Sequence, residues 1–469
     1  MNTDHRTTFP ARMSRCLAVG ACLPFFVALA SAQSITVTST ADSAGARYNY
    51  ANCSYYGNAC TLRAAVQEAN RRATTTTQTI TVPPGVYGFE SNLFASNVDD
   101  TSTYGDLDIK VNVSIEGWDP QNTIIDAASI DRVFDVLPGA VVTLKNLTIR
   151  GGRTDGPGGG IRNNGVLTLW NCIVTGNSSR SGGGVYNGLP ITTGSGMAKI
   201  YNSYIQQNSA YAGGGLHNEG SLEISSTTVR NNIAYEEGGG LEDSSGATAA
   251  VAATTFSGNS ALTGGALHVV GSLSLTNSTI SDNIATQGRG GALWSGSSNV
   301  RIVSSTFNRN NRVDSAYFAY AFALYVASGS AAMRYTIVNE PLLDTAGQVI
   351  DADRGCMRGL NRILSEGYNL DRGGSCNLGA NGDRSWTDPL LGPLADNGGP
   401  TQTCALLTGS PAIDAIPGVA TSSYPIPATD QRGVRRPQYN TNVLRFVRAG
   451  DNVHDIGAYE HIYATQMIL

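Results

Sequence analysis

Between residues 158 and 310 the hydrophobic positions recur at intervals far longer than those of a single helix or strand. A glycine run followed by an apolar residue appears six times, as GGGI, GGGV, GGGL, GGGL, GGAL and GGAL. The apolar members are Ile161, Val185, Leu216, Leu241, Leu267 and Leu293, spaced by 24, 31, 25, 26 and 26 residues. Each unit closes on an asparagine: Asn177, Asn208, Asn232, Asn259, Asn283 and Asn310. Self-similarity at such a period marks a solenoid, in which each unit buries its apolar face only against its neighbours.

Within the unit, apolar and polar columns separate cleanly. Aligned on Leu169, Ile200, Ile224, Val251, Leu275 and Ile302, the units place Val174, Ile205, Val229, Phe256, Ile280 and Phe307 five residues later. Both columns are apolar throughout, as a shared core requires. Three residues after the anchor come Cys172, Ser203, Thr227, Thr254, Ser278 and Ser305, so Cys172 reads as a small packed thiol in a hydroxyl column. Coils stacked about 4.8 Å apart would pair backbone with backbone, and like side chains along a column could hydrogen-bond. The glycine runs mark the turn between strands. A further coil, 323–339, aligns with 292–308 after an aromatic insertion at 311–322; beyond Asn339 the register fades.

The ends read differently. Arg6, Arg12 and Arg15 precede an apolar run that closes on Ala30-Ser31-Ala32, which predicts a signal peptide over 1–32 and export to the exterior or the cell surface. No later run is long and apolar enough to predict a transmembrane helix. Loss of 1–32 moves the formal charge from −5 to −7, because three Arg and one Asp depart. That acidity argues against a nucleic-acid partner. Six cysteines remain in an oxidising compartment, and Cys53 with Cys60 and Cys356 with Cys376 are the expected disulfides. Residues 33–78 hold one amphipathic helix, with Leu62, Ala65, Val66 and Ala69 on one face and Thr61 placed as its cap. A solenoid needs such a lid over its open end.

The segment CTLRAAVQEAN, with Cys60, Leu62, Arg63, Ala65 and Asn70, resembles the CSLREA domain that precedes bacterial β-helix repeats; Thr61 and Ala64 depart from its pattern. Residues 79–89 and 122–152 resemble the opening coils of pectate-lyase-like and polymorphic-outer-membrane-type repeats. The phrases SEGYNL, DPLLGPLADNGGPTQTCALLTGSPAID, DQRG and DIGAYE, from residue 365 to 460, resemble a choice-of-anchor Q domain. The resemblance implies an all-β, right-handed parallel β-helix over 79–345, followed by a less regular C-terminal domain over 346–469. The chain runs only nine residues beyond Glu460, so the resemblance implies a released or non-covalently retained protein; a monomer is expected.

One column is neither apolar nor uniform. Directly after the glycine-run anchor stand Arg162, Tyr186, His217, Glu242, His268, Trp294 and, in the extra coil, Tyr325. We expect these to point outward as a strip, with aromatic rings for stacking on sugars and ionisable groups for their hydroxyls. His217, Glu242 and His268 are the catalytic candidates. Two functions follow: non-catalytic binding of polysaccharide or another extracellular surface in the manner of an adhesin, or, as the alternative, a lyase or hydrolase acting on an acidic polysaccharide. A uronate lyase needs a base and a cation near the carboxylate. Calcium on Asp99, Asp100, Asp106 or Asp108 would supply the latter, although no metal site or other cofactor is assigned. The Gly-His-Gly and Arg-Ile-Lys strings of galacturonan hydrolases do not occur.

Overall fold

The computed structural model describes residues 34–42, 53, 59–72, 76–90, 102–188, 196–297, 299–310, 322–343, 349–351, 355–357, 362–417, 425–437 and 452–462. The predicted signal peptide and most of the 311–322 insertion lie outside these residues. The chain winds into an all-β, right-handed parallel solenoid with three sheets. The first holds twelve strands, from Ser34–Thr36 and Gln78–Val82 to Arg362–Ser365. The second holds thirteen and includes Leu107–Ile109, Phe134–Val136, Ile161–Asn163 and their successors up to Phe322–Val326. The third runs from Gly85–Gly88 to Arg384–Ser385 in twelve strands. Parallel register therefore continues past residue 345, where the sequence expectation placed the end of the coils.

The predicted columns are the core. Leu144, Leu169, Ile200, Ile224, Val251, Leu275, Ile302 and Met333 face one another in unbroken register and are buried to 2% exposure or less. Burying each such side chain contributes roughly 1.5–3 kcal/mol, and stacking like on like avoids voids between coils. The residues two places after the anchor, Asn171, Asn202, Ser226, Ala253, Asn277 and Ser304, all adopt φ between 47° and 51°. Asn is among the few side chains that tolerate this left-handed conformation, which explains its recurrence there.

The closing asparagines form a buried ladder. Each Nδ2 donates to the Oδ1 of the next, from Asn177 through Asn208, Asn232, Asn259 and Asn283 to Asn310, at 2.9–3.0 Å. Asn310 then donates to both carboxyl oxygens of the buried Glu340. A second ladder runs Asn163, Asn187, Asn218 and ends on Asp243. The hydroxyl column works through the backbone, as where Cys172 N–H donates to Ser203 Oγ at 3.0 Å.

The expected helix is Leu62–Arg72, capped by Thr61 Oγ1, which accepts from Ala64 N–H at 3.1 Å. It packs beside Gln78–Val82 and Leu107–Ile109, covering the open N-terminal end. Arg63 is buried on it, paired with both carboxylate oxygens of Asp42 and donating to the carbonyls of Ser102, Gly105 and Asp106. The expected disulfides Cys53–Cys60 and Cys356–Cys376 are formed, while Cys172 and Cys404 are free and buried. The C-terminal region folds back on the third sheet: Gln431 bonds Thr255 and Thr279, Asn277 donates to the Thr429 carbonyl, and Ala458 N–H donates to Thr306 Oγ1. Among the described residues no helix is long and apolar enough to cross a membrane.

Candidate active site

In each short strand of the second sheet the first and third residues face the core and the second faces away from it. Leu216 and Asn218 are inward in this way, which leaves His217 on the outer face. Register then fixes one row: Asp108, Asp135, Arg162, Tyr186, His217, Glu242, His268, Trp294 and Tyr325, each paired with the next. All seven residues expected in the strip are brought together. Asp108 and Asp135 extend it downward; their coils lack the glycine run that marks the column in the sequence. Asp99 and Asp100 lie outside the described residues.

The strip is less open than an outward row of sugar-binding residues was expected to be. His217, Glu242 and His268 are only 9%, 5% and 3% exposed. The first glycine of each run takes positive φ, as at Gly213 (65°) and Gly264 (63°), and swings the preceding strand up beside the row. A Cβ on either glycine would lie 2.8 Å from the Cβ of His217 or His268. Ring stacking covers the row further. Tyr186 lies on His217 with centroids 5.3 Å apart, and Trp294 lies on His268 at 4.1 Å and 10° between planes. Tyr186, Trp294 and Tyr325 keep partial exposure. The row is thus the floor of a corner walled by strands such as Ile233–Glu237.

The two histidines sit in opposite electrostatic settings. His217 Nδ1 lies 2.9 Å from Glu242 Oε2, out of line for a hydrogen bond but within ion-pair range. Its Nε2 lies 3.3 Å from Glu219 Oε1. Burial pulls the imidazole down, but Glu219 and Glu242 outweigh it and push it up to about 9. His268 has a carboxylate only at 3.9 Å, that of Glu237, and burial takes it down to about 4 against the pull of Glu242. At neutral pH the row therefore carries a charged and an uncharged imidazole on either side of one carboxylate. Ser244 Oγ donates to Glu242 at 3.0 Å and holds it in place. Burial also raises Glu237, aided by Glu242 and Glu236.

Lower in the row two guanidiniums pair with carboxylates. Arg162 makes a two-point contact with Asp135, Nε to Oδ1 at 2.8 Å, and Arg132 pairs with Asp106 at 2.8 Å. Burial raises Asp106 to about 7 against Arg132, with Asp131 and Asp135 adding to the rise.

Sequence reasoning missed Glu219, Ser244 and Glu237. Glu219 and Ser244 stand two residues after His217 and Glu242, each just past the end of its strand, where the strand's alternation carried one residue further puts them on the same face. That signal was present. Glu237 reaches the row from the wall strand, and no spacing rule points to it.

Residues 132–307 match the family model described as the right-handed β-helix region. No curated protein matches the chain in sequence. Among solved structures the chain is similar to pectate lyase Pel9A, at 12% identity and TM-score 0.48, covering 92% of this chain and 97% of that one. It is also similar to rice weevil pectin methyl esterase (16%, 0.29, 68% and 88%). A mannuronic acid specific polysaccharide family 6 lyase from human gut microbiota is a third (10%, 0.30, 66% and 79%). These likenesses concern architecture and assign no substrate.

Proposed function

We propose that the protein is an exported β-helix enzyme acting on an acidic polysaccharide, with the His217–Glu242–His268 segment as its active site. The observation that carries this reading is the pair of imidazoles pushed to opposite protonation states about a shared carboxylate. Environments that separate the titration of neighbouring groups assign a proton donor and an uncharged partner. In this reading His217 is the proton carrier, held charged by Glu219 and Glu242. His268 offers an unprotonated nitrogen. Tyr186, Trp294 and Tyr325 give partly exposed rings along which sugars can stack, and Arg162 lies below them. Arg63 with Asp42 and Arg436 with Glu460, in the segments resembling CSLREA and choice-of-anchor Q domains, are buried pairs that serve folding.

Non-catalytic binding is the second reading. It draws on the stacked pair Tyr211 and Tyr235, 46% and 73% exposed with centroids 5.5 Å apart, on the wall beside the row. Pectate, pectin and mannuronan form the first panel of substrates. Turnover that falls at least about a hundredfold in His217→Ala, with the fold intact by circular dichroism, supports the enzyme. Retention on the same polysaccharides without any products, or turnover unchanged by the substitution, refutes it.

A further inference from the structure

The charges around Glu242 do not balance. Glu219, Glu237 and Glu242 face a single imidazolium, His217, and an acidic chain approaching them meets net negative potential. A bound cation would reverse this, and the row holds donors of the right kind. Glu237, Glu242 and His268 each offer one ligand atom, all within 4.8 Å of one another. A triangle of that size puts its centre at most about 2.8 Å from each corner, some 0.7 Å beyond a zinc–ligand bond. Glu237, whose side chain is 45% exposed, has the freedom to close that gap.

The second, independent observation is His268 itself. It is 3% exposed, its Nδ1 is buried with no hydrogen-bond partner, and its Nε2 faces Glu237 Oε1 at 3.9 Å, beyond hydrogen-bond range. Burying a polar ring atom without a partner is costly. Stacking against Trp294 fixes the ring plane, so the ring cannot turn away to water. A buried imidazole with no hydrogen bond to either ring nitrogen, its Nε2 turned toward Glu237 and both Glu237 and Glu242 within 4.8 Å, has the geometry of a metal ligand. The Asp106, Asp108 and Asp135 group differs, because Arg132 and Arg162 already pair with two of its three carboxylates and it offers no imidazole.

We propose that Glu237, Glu242 and His268 form a site for a divalent transition ion of the zinc class. One nitrogen and two oxygens suit that class; calcium seeks six to eight oxygens and does not favour imidazole. Three protein ligands leave a coordination position open, where a uronate carboxylate or a water can enter. The ion's part in turnover rests on the enzymatic reading above, whereas its binding does not.

The test uses the full chain after chelator treatment and dialysis. Cobalt(II) is titrated and followed by its visible absorption, and zinc and calcium by calorimetry. The expected result is one equivalent of cobalt or zinc bound, with calcium at least about a hundredfold weaker. Glu237→Gln, Glu242→Gln and His268→Gln should each weaken zinc binding at least about tenfold, while Asp106→Asn leaves it unchanged. Three separate variants, each checked by circular dichroism, guard against one that misfolds. No stoichiometric binding by the wild type, or binding kept in His268→Gln, or binding lost in Asp106→Asn alone, overturns the site. An active, metal-free protein would sink this site and spare the enzyme; a metal-binding, inactive one would do the reverse.

Discussion

The protonation of His217 can be measured directly. Its lift from the ordinary 6.5 to about 9 corresponds to about 3 kcal/mol of preference for the charged ring in the folded chain. Because the folded value is raised, that stabilisation is fully present below pH 6.5 and is lost as pH rises through 9. The groups facing the ring are Glu219, Glu242, Ser244 and Tyr186. Replacing His217 by Gln removes the dependence, while other titrations, such as those of the tyrosines, remain common to both proteins. Urea unfolding at pH 6 and pH 9.5, with disulfides intact, should show the wild type losing about 3 kcal/mol more than His217→Gln. Over more than 400 residues this is a differential shift of roughly 3–4 °C in Tm. The chain has five histidines, so a histidine-labelled NMR titration is sparse enough to follow His217 alone. Glu219→Gln should raise its acid dissociation constant roughly tenfold, a change of about 1.4 kcal/mol. An imidazole that titrates at or below 6.5, or equal pH dependence in wild type and variant, would refute the reasoning.

Asn232→Ala should cost about 3–5 kcal/mol, read as a lower urea midpoint at unchanged slope. It removes the amide that accepts from Asn208 N–H and Nδ2 and donates to the Ile205 carbonyl and Asn259. A loss below about 1 kcal/mol would mean that water replaces the ladder. Burial pushes both the Cys172 and the Cys404 thiols up to about 12, so neither should react with a thiol reagent at pH 8 until the chain unfolds. Cys172→Ser should change stability by no more than about 1 kcal/mol, because Ser203 and Thr227 hold equivalent places with their hydroxyls bonded to the carbonyls of Tyr201 and Ser225.

Much of this was legible because a solenoid writes its core as columns. Leu169, Val174 and Asn177, aligned across six units, fall at the positions expected of them, and the row from Arg162 to Tyr325 does too. Alignment captures what repeats. It does not capture Asp108 and Asp135, whose coils reach the same register without the glycine signal. Nor does it give burial. His217 was read as outward, and it is outward from the core, yet Tyr186 and the strand raised at Gly213 close over it. Glu237 comes from a wall whose register slips by bulges, so no fixed spacing connects it to His268. The parts of the site that were missed are those where neighbouring coils differ.

The asparagine ladder has a direction, and the direction limits how the molecule can change its length. Every side-chain amide from Asn177 to Asn310 donates toward the C-terminus, and Glu340 ends the ladder, Oε1 accepting from Asn310 Nδ2 and Oε2 from the Asn310 backbone N–H. Duplicating the coil that holds Asn232 would insert one more link and leave both termini as they are. The coils stacked after Glu340 keep parallel register in the first and third sheets without this ladder, so a copy inserted among them would not extend it. Growth and shortening of this protein, in evolution or by engineering, should therefore take place between residues 177 and 310, with the helical lid and the folded-back C-terminal region left at fixed ends.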